Sequence, residues 1–238
     1  MNRISTSKQI ICYIDLLGTK DKIIRDSNSD YLNVINDSYN EAIKIVDSIS
    51  SAATVLPYKI KIFSDNFIIA TESNANRKDD NHIAIALNRM ALIAMAIQRE
   101  LLKQDIFIRG GITWGDLYMD ESFVYGNGLL DAYKLECEKA LYPRIIIDEE
   151  LIKLSEYCMQ ESEDYIMEVY NIKKDKDKLY FLDYLNYLKD KKVNLIIDYS
   201  NSKIDHFIEI ETDNRVIQKL IWHKQYLEYL LNKRNSDK

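Results

Sequence analysis

Cysteine, proline and glycine are all scarce in these 238 residues: three, two and six respectively. The cysteines, Cys12, Cys137 and Cys158, are odd in number and widely spaced, with no CxxC pair. That argues against both a disulfide framework and a zinc site and leaves free thiols of a reducing compartment. The three histidines, His82, His206 and His223, share no spacing that would suit a metal. No long apolar run is present; the longest, Met90–Ile97, is far below the length of a membrane span. The N-terminal apolar run is broken by Asp15, unlike a signal peptide. These absences predict a cytoplasmic protein without a membrane association. A net charge of -6 argues against a nucleic-acid binder, because such a surface repels phosphate backbones. It leaves a small anionic substrate open, since bound divalent cations invert the local field. No P-loop, GxSxG or Cys–His nucleophile pattern is found.

Hydrophobic residues make up 47% of the chain, enough for a full core, and the length fits one domain with elaborations. The glycines are unevenly placed: Gly110, Gly111, Gly115, Gly126 and Gly128 fall within nineteen positions. Such clustering marks constrained backbone, beside a ligand or, for Gly115 and Gly126, in tight turns.

Residues 9–16, QIICYIDL, suit a buried strand with Asp15 near its end. Apolar spacing predicts helices over 30–52, with Asp30 as N-cap, and over 82–104. YKIKIF and NFIIAT read as a hairpin with Asp65 at its tip. Residues 72–81 read as a polar loop. IFIRGGI and WGDLYM read as two strands separated by Thr113, NGLLDAYKLECEKA as a helix and RIIID as a strand. Beyond residue 150, DEELIKLSEY reads as a helix. DYIMEVYNI and KLYFLDYL read as strands around KKDKDK, and 213–232 as a closing helix. The expectation is an α+β fold, helices packed on an antiparallel sheet, with a core over residues 1–150 and a C-terminal extension over 151–238.

A carboxylate in an apolar strand is costly unless it is paired, hydrogen-bonded or bound to metal. Asp15 and Asp65 on neighbouring strands could hold two divalent cations, which at about 4 Å apart stabilise attacking and leaving oxygens in phosphoryl transfer. A helix N-cap for Asp15 and simple turn chemistry for Asp65 are the plainer alternatives.

The order CYIDLLGTK, KIFSDNFIIA, IRGGITWG, YGNGLLDAYKLE resembles the class III nucleotidyl cyclases over about residues 9–148. The set SDN, IRGGI-x-x-G, AYKLE and YPRI is similar, more narrowly, to the antiphage pyrimidine cyclases of Pycsar systems. The resemblance implies a βαββαββ core and a homodimer with sites at its interface. It also implies conversion of UTP or CTP to cyclic UMP or cyclic CMP, read by a separate effector. Asp15 and Asp65 would bind two metal ions, Mn2+ or Mg2+, with the Leu16 carbonyl as a further ligand. Backbone amides of Leu17, Gly18 and Thr19 would meet the triphosphate, and Arg109 would neutralise its charge. A surface ion pair is the alternative for Arg109. Lys61 falls where adenylate cyclases place a base-reading lysine. Tyr58 would approach the base from the opposite chain, or is ordinary packing. The family's transition-state Asn and Arg correspond to Leu130 and Lys134, a departure that puts ordinary adenylate or guanylate cyclase activity in doubt. Asn127 and Asp131 could substitute for them or simply start the helix. A non-catalytic nucleotide-binding module and a polymerase-type palm domain are the competing readings.

Overall fold

The run SKQIICYIDL forms β1 (Ser7–Leu16), whose centre is buried on both faces. A strand covered on both sides must sit inside a sheet, and β1 does. It pairs antiparallel with β3 (Asn66–Glu72) on one side and with β4 (Ile108–Met119) on the other. The computed structural model describes residues 4–49, 56–72, 82–186 and 192–236. β2 (Tyr58–Phe63) closes a hairpin with β3 through a two-residue turn in which Ser64 takes φ 54°. β6 (Ile145–Ile147) pairs parallel with β4, then β8 (Tyr180–Leu182) and β7 (Ile172–Lys174) follow antiparallel. The sheet order is β2-β3-β1-β4-β6-β8-β7, and the short β5 (Val124–Tyr125) pairs with the end of β4. The fold is therefore α+β with a mainly antiparallel sheet, as expected from the sequence.

Ile10, Cys12, Ile14 and Leu16 point to one face of β1 and join the main core. That face is covered by α2 (Asp30–Ile49) and α3 (His82–Leu102). α3 is buried nearly all round, because α2, α5 (Glu149–Met159) and the sheet enclose it. Ile11, Tyr13 and Asp15 point to the other face, where a smaller cluster packs under α4 (Asn127–Lys134). One sheet and one core cluster continue across residue 150 into the C-terminal third.

Several sequence expectations change. Residues 106–119 do not make two strands: β4 is continuous, because buried Thr113 suits a strand and pairs opposite Ile11, its hydroxyl donating to the Gly128 carbonyl at 3.0 Å. Asp30 is not the N-cap of α2. Asp26 takes that task, its carboxylate accepting the Tyr31 and Leu32 N–H groups at 3.0 Å each. DYIMEVYNI is mostly a helix, α6 (Glu163–Val169), started by the Ser162 hydroxyl and followed only then by β7. α7 (Lys192–Ile210), unforeseen, packs against the expected closing helix α8 (Asn214–Ser236). Residues 50–52 of the helix predicted over 30–52 and 73–81 of the polar loop lie outside the described residues.

The glycine cluster has a packing cause. A Cβ on Gly111 would stand 2.6 Å from the Ala132 carbonyl, and one on Gly115 would stand 2.6 Å from Gly128 Cα. α4 thus lies directly on the backbone of β4. Gly115 is not in a turn, contrary to one sequence reading.

α8 docks through an aromatic group. His223 is 1% exposed, lies edge-on to Phe107 at 5.0 Å, and shares a 3.1 Å hydrogen bond with Tyr184. Burial pushes its pKa down to about 3, from an ordinary value of 6.5. The folded state therefore keeps His223 neutral, and its contribution is intact above about pH 6.5 and lost as pH falls toward 3. His223→Phe should flatten the acid limb of unfolding stability between those values, while costing about 1–3 kcal/mol at neutral pH through the orphaned Tyr184 hydroxyl. Denaturant titrations from pH 7 to 4 check this; an unchanged slope contradicts it.

Candidate active site

Strand pairing brings the two aspartates together. Asp15 stands opposite Arg109, a predicted residue, on β4 and opposite Asn66, the residue after Asp65, on β3. Asp65 occupies the β2–β3 turn, and its carbonyl accepts the Leu16 N–H at 3.0 Å. The Asp65 carboxylate accepts the Thr19 hydroxyl at 2.8 Å on Oδ2 and the Asn66 amide at 2.9 Å on Oδ1. The Thr19 hydroxyl also lies 3.1 Å from the Leu16 carbonyl. Thr19 thus ties the end of β1 to the hairpin tip. Asn66 is fixed in turn by the Tyr13 hydroxyl at 2.5 Å.

Arg109 is partly buried. Its Nε donates to Asp15 Oδ2 at 3.2 Å and lies 2.5 Å from Glu136 Oε1. Glu136 is 1% exposed and was not anticipated. It belongs to a π-helical turn, Leu135–Lys139, that continues α4, in which the Ala140 N–H reaches the Leu135 carbonyl at 3.1 Å. Such insertions re-aim side chains and are frequent at functional sites. A signal was present: Gly128, Ala132 and Glu136 repeat at four-residue spacing, so a glutamate falls on the buried face of an amphipathic helix.

Electrostatics follow from this packing. Burial raises the Asp15 pKa above the ordinary carboxylate range, and the Arg109 guanidinium pulls it back by charge and hydrogen bond. Asp65 adds a smaller upward push. Burial likewise raises Glu136, with the Cys137 hydrogen bond and Arg109 opposing it. The site sets the desolvated Asp15 and Glu136, with Asp65 beside them, around the Arg109 guanidinium, with Lys219 acting more weakly, an environment that favours further positive charge.

Among the described residues no group of three or more His, Cys, Asp or Glu side chains could hold a metal ion. The donors at hand are the Asp15 and Asp65 carboxylates and the Leu16 carbonyl. All are oxygens, which suits a hard cation such as Mg2+ or Mn2+ that keeps waters or phosphate oxygens as its other ligands. The donor chemistry and the excess of desolvated negative charge fit a divalent ion.

The remaining predicted residues divide. Gly18 takes φ +69° in the loop after β1, with open space where a Cβ would be. The Leu17 N–H is already donated to the Phe107 carbonyl at 2.8 Å, so it is engaged within the chain. The helix after this loop, α1 (Lys20–Arg25), has six residues. Lys61 is on the Asp15 face of the sheet, but its ammonium reaches the Glu121 carbonyl at 2.7 Å, toward the far end of β4. Tyr58 is on the opposite face, against Asp47 and 5.0 Å from the Arg89 guanidinium. It is not brought to Asp15 and Asp65 within this chain. Leu130 and Lys134 are both exposed on α4. The Asn127 side chain accepts the Asp116 N–H at 3.0 Å, so it fastens the start of α4 to β4.

Because Arg109 is the strongest influence lowering Asp15, its loss has a defined direction. Arg109→Gln should move the Asp15 titration further upward in metal-free protein. Carboxyl 13C chemical shifts followed across pH report it; no movement, or a downward one, contradicts the pairing.

No family model matches this chain, and no curated protein does. Solved structures with related arrangements include an adenylyl cyclase from P. aeruginosa, 16% identical over 63% of this chain and 80% of that one, with a TM-score of 0.44. The catalytic core of a rhodopsin-guanylyl cyclase with converted specificity, in complex with ATPαS, is 18% identical over 63% and 82%, with a TM-score of 0.46. An adenylate/guanylate cyclase/hydrolase from Silicibacter pomeroyi is 16% identical over 75% and 95%, with a TM-score of 0.45.

Proposed function

We propose that this protein is a class III-type nucleotidyl cyclase that converts UTP or CTP to the 3′,5′-cyclic monophosphate and pyrophosphate. One observation carries the reading. β1–β3 pairing sets Asp15, the Leu16 carbonyl and Asp65 side by side, with Arg109 beside them. Two divalent ions at those oxygens would polarise the ribose 3′-hydroxyl and take up charge on the leaving phosphates. The chain's own work is positioning. Thr19 and Asn66 hold the Asp65 carboxylate by its two oxygens. The Arg109 guanidinium, set between Asp15 and Glu136, offers its outer nitrogens to a phosphate. Gly18 and Thr19 lead the backbone past the same point. Since the nucleophile is part of the substrate, orientation supplies most of the acceleration.

Lys61 and Tyr58 point away from this centre, which supports a homodimer in which a second copy contributes them. The preference for a pyrimidine base rests on Leu130 and Lys134, which lack the hydrogen-bonding and bidentate geometry of the residues they stand for. Cytoplasmic cyclic UMP or cyclic CMP would then serve as a second messenger in antiphage defence, read by a separate effector. Among the described residues no helix is long and apolar enough to cross a membrane.

Purified protein with Mn2+ should turn UTP or CTP into cyclic nucleotide and pyrophosphate, and chelation should stop it. Asp65→Ala should lower turnover by at least about a thousandfold without unfolding, since one carboxylate serves both ions. Chromatography of the products across UTP, CTP, ATP and GTP checks this. ATP or GTP as the preferred substrate would replace the pyrimidine assignment with a purine one. Binding without turnover of any of the four would select a nucleotide-binding module instead, the reading favoured by the exposed Leu130 and Lys134.

A further inference from the structure

The α7–α8 pair lies outside the βαββαββ order, yet it reaches the site. A cavity of about 290 Å³ opens between the loop after β1 and these helices, lined among others by Leu17, Gly18, Lys22, Phe107, Phe207 and Lys219. Its position is fixed by a short relay of contacts. His223 of α8 packs on Phe107 at 5.0 Å, and the Phe107 carbonyl accepts the Leu17 N–H at 2.8 Å. The loop carrying Gly18 is thus anchored to the C-terminal helices.

Two lysines and two acids line this cavity. Its two acids are engaged elsewhere: Asp105 pairs with Lys203 at 3.5 Å, and Glu211 accepts the Thr212 and Asp213 N–H groups at 2.7 and 2.9 Å. Lys22 stands over the Tyr31 ring at 5.3 Å. Lys219 is half-buried, and among the described residues no carboxylate lies within ion-pair distance of its ammonium. It is near enough to Arg109, Asp15 and Glu136 for their charges to act on one another. A half-buried ammonium without a close counter-charge, beside a positive-φ glycine and an arginine, is a place for a compact anion.

We propose that this cavity holds the terminal phosphates of the nucleotide and the pyrophosphate that leaves, with Lys219 as the cation that the C-terminal helices supply. This rests on the cyclase reading. In that reaction the 3′-oxygen forms a bond to the α-phosphorus and gives its proton to solvent. The bond from the α-phosphorus to the bridging oxygen breaks, and that electron pair leaves on pyrophosphate. Lys219 meets the charge that builds there, and the extension is a working wall of the active site.

Calorimetry with inorganic pyrophosphate and Mg2+ tests this on the full chain. Lys219→Gln should weaken pyrophosphate binding at least tenfold and raise the KM for the triphosphate, while binding of the uncharged nucleoside is unmoved. Lys219→Arg should restore most of the loss. Lys153→Gln, an exposed lysine on α5, should change nothing. Where glutamine disturbs packing, seen as a lowered Tm, Lys219→Met keeps the apolar stem and serves in its place. Unchanged pyrophosphate affinity and KM in a folded, active Lys219 variant overturn the inference and leave the cyclase standing. Lys219-dependent pyrophosphate binding without turnover of any nucleotide removes the cyclase and leaves the anion cavity.

Discussion

Arg109 lies between two carboxylates, the partly buried Asp15 at the end of β1 and the buried Glu136 on the π-helical turn. Burial raises both pKa values, and the guanidinium opposes that rise at each acid. In doing so it joins three elements at one point: the central strand, its neighbour β4 and the helix on their open face. The hairpin tip joins from the other side, because Thr19 bonds the Asp65 carboxylate while the Asp65 carbonyl holds the Leu16 N–H. One guanidinium among three acids, with Lys219 acting more weakly, leaves a negative site suited to divalent cations and, through them, to a polyphosphate.

The glycines belong to the same constraint. Glu136 reaches Arg109 because α4, through its own Gly128, lies on bare β4 backbone at Gly111 and Gly115. Any side chain at Gly111 would meet the Ala132 carbonyl of α4, lift the helix off β4 and carry Glu136 away from the guanidinium. A cluster read as a sign of a nearby ligand is in the first instance a sign of close helix–sheet contact. The site forms at the end of that contact.

On the C-terminal side of the site, α8 packs an aromatic face of His223, Tyr226 and the partly exposed Trp222 against Tyr184 and Phe181. Arg144 is enclosed there with Asp175 and Asp177, and the Trp222 indole donates to Asp175 at 2.8 Å. This packing seats the C-terminal pair firmly enough for Phe107 to pass its position on to the loop at Leu17. The C-terminal third therefore shares a sheet, a core and the edge of the site with the first 150 residues.

Local chemistry made much of this legible. The apolar run QIICYIDL, the two-residue turn at Ser64–Asp65 and the apolar periods of α2, α3 and α8 are short-range properties, and they gave strands, a hairpin and helices where the structure has them. Asp15 and Asp65 stood out because an acid inside an apolar run is costly wherever it falls. The single long β4 was missed because Thr113 reads as a break until its opposite neighbour Ile11 is known. The DYIMEVYNI segment was misread because apolar runs of that length suit helix and strand alike, and its cap at Ser162 was overlooked. What only the tertiary structure decided was partnership across long separations: Glu136 with Arg109, Leu17 with Phe107, and Lys219 with the Gly18 loop. A sequence shows that a charge will need a partner. Which residue answers depends on strand register, on the glycines that let α4 come close, and on the turn of a helix, none of which is encoded in the neighbours of any one residue.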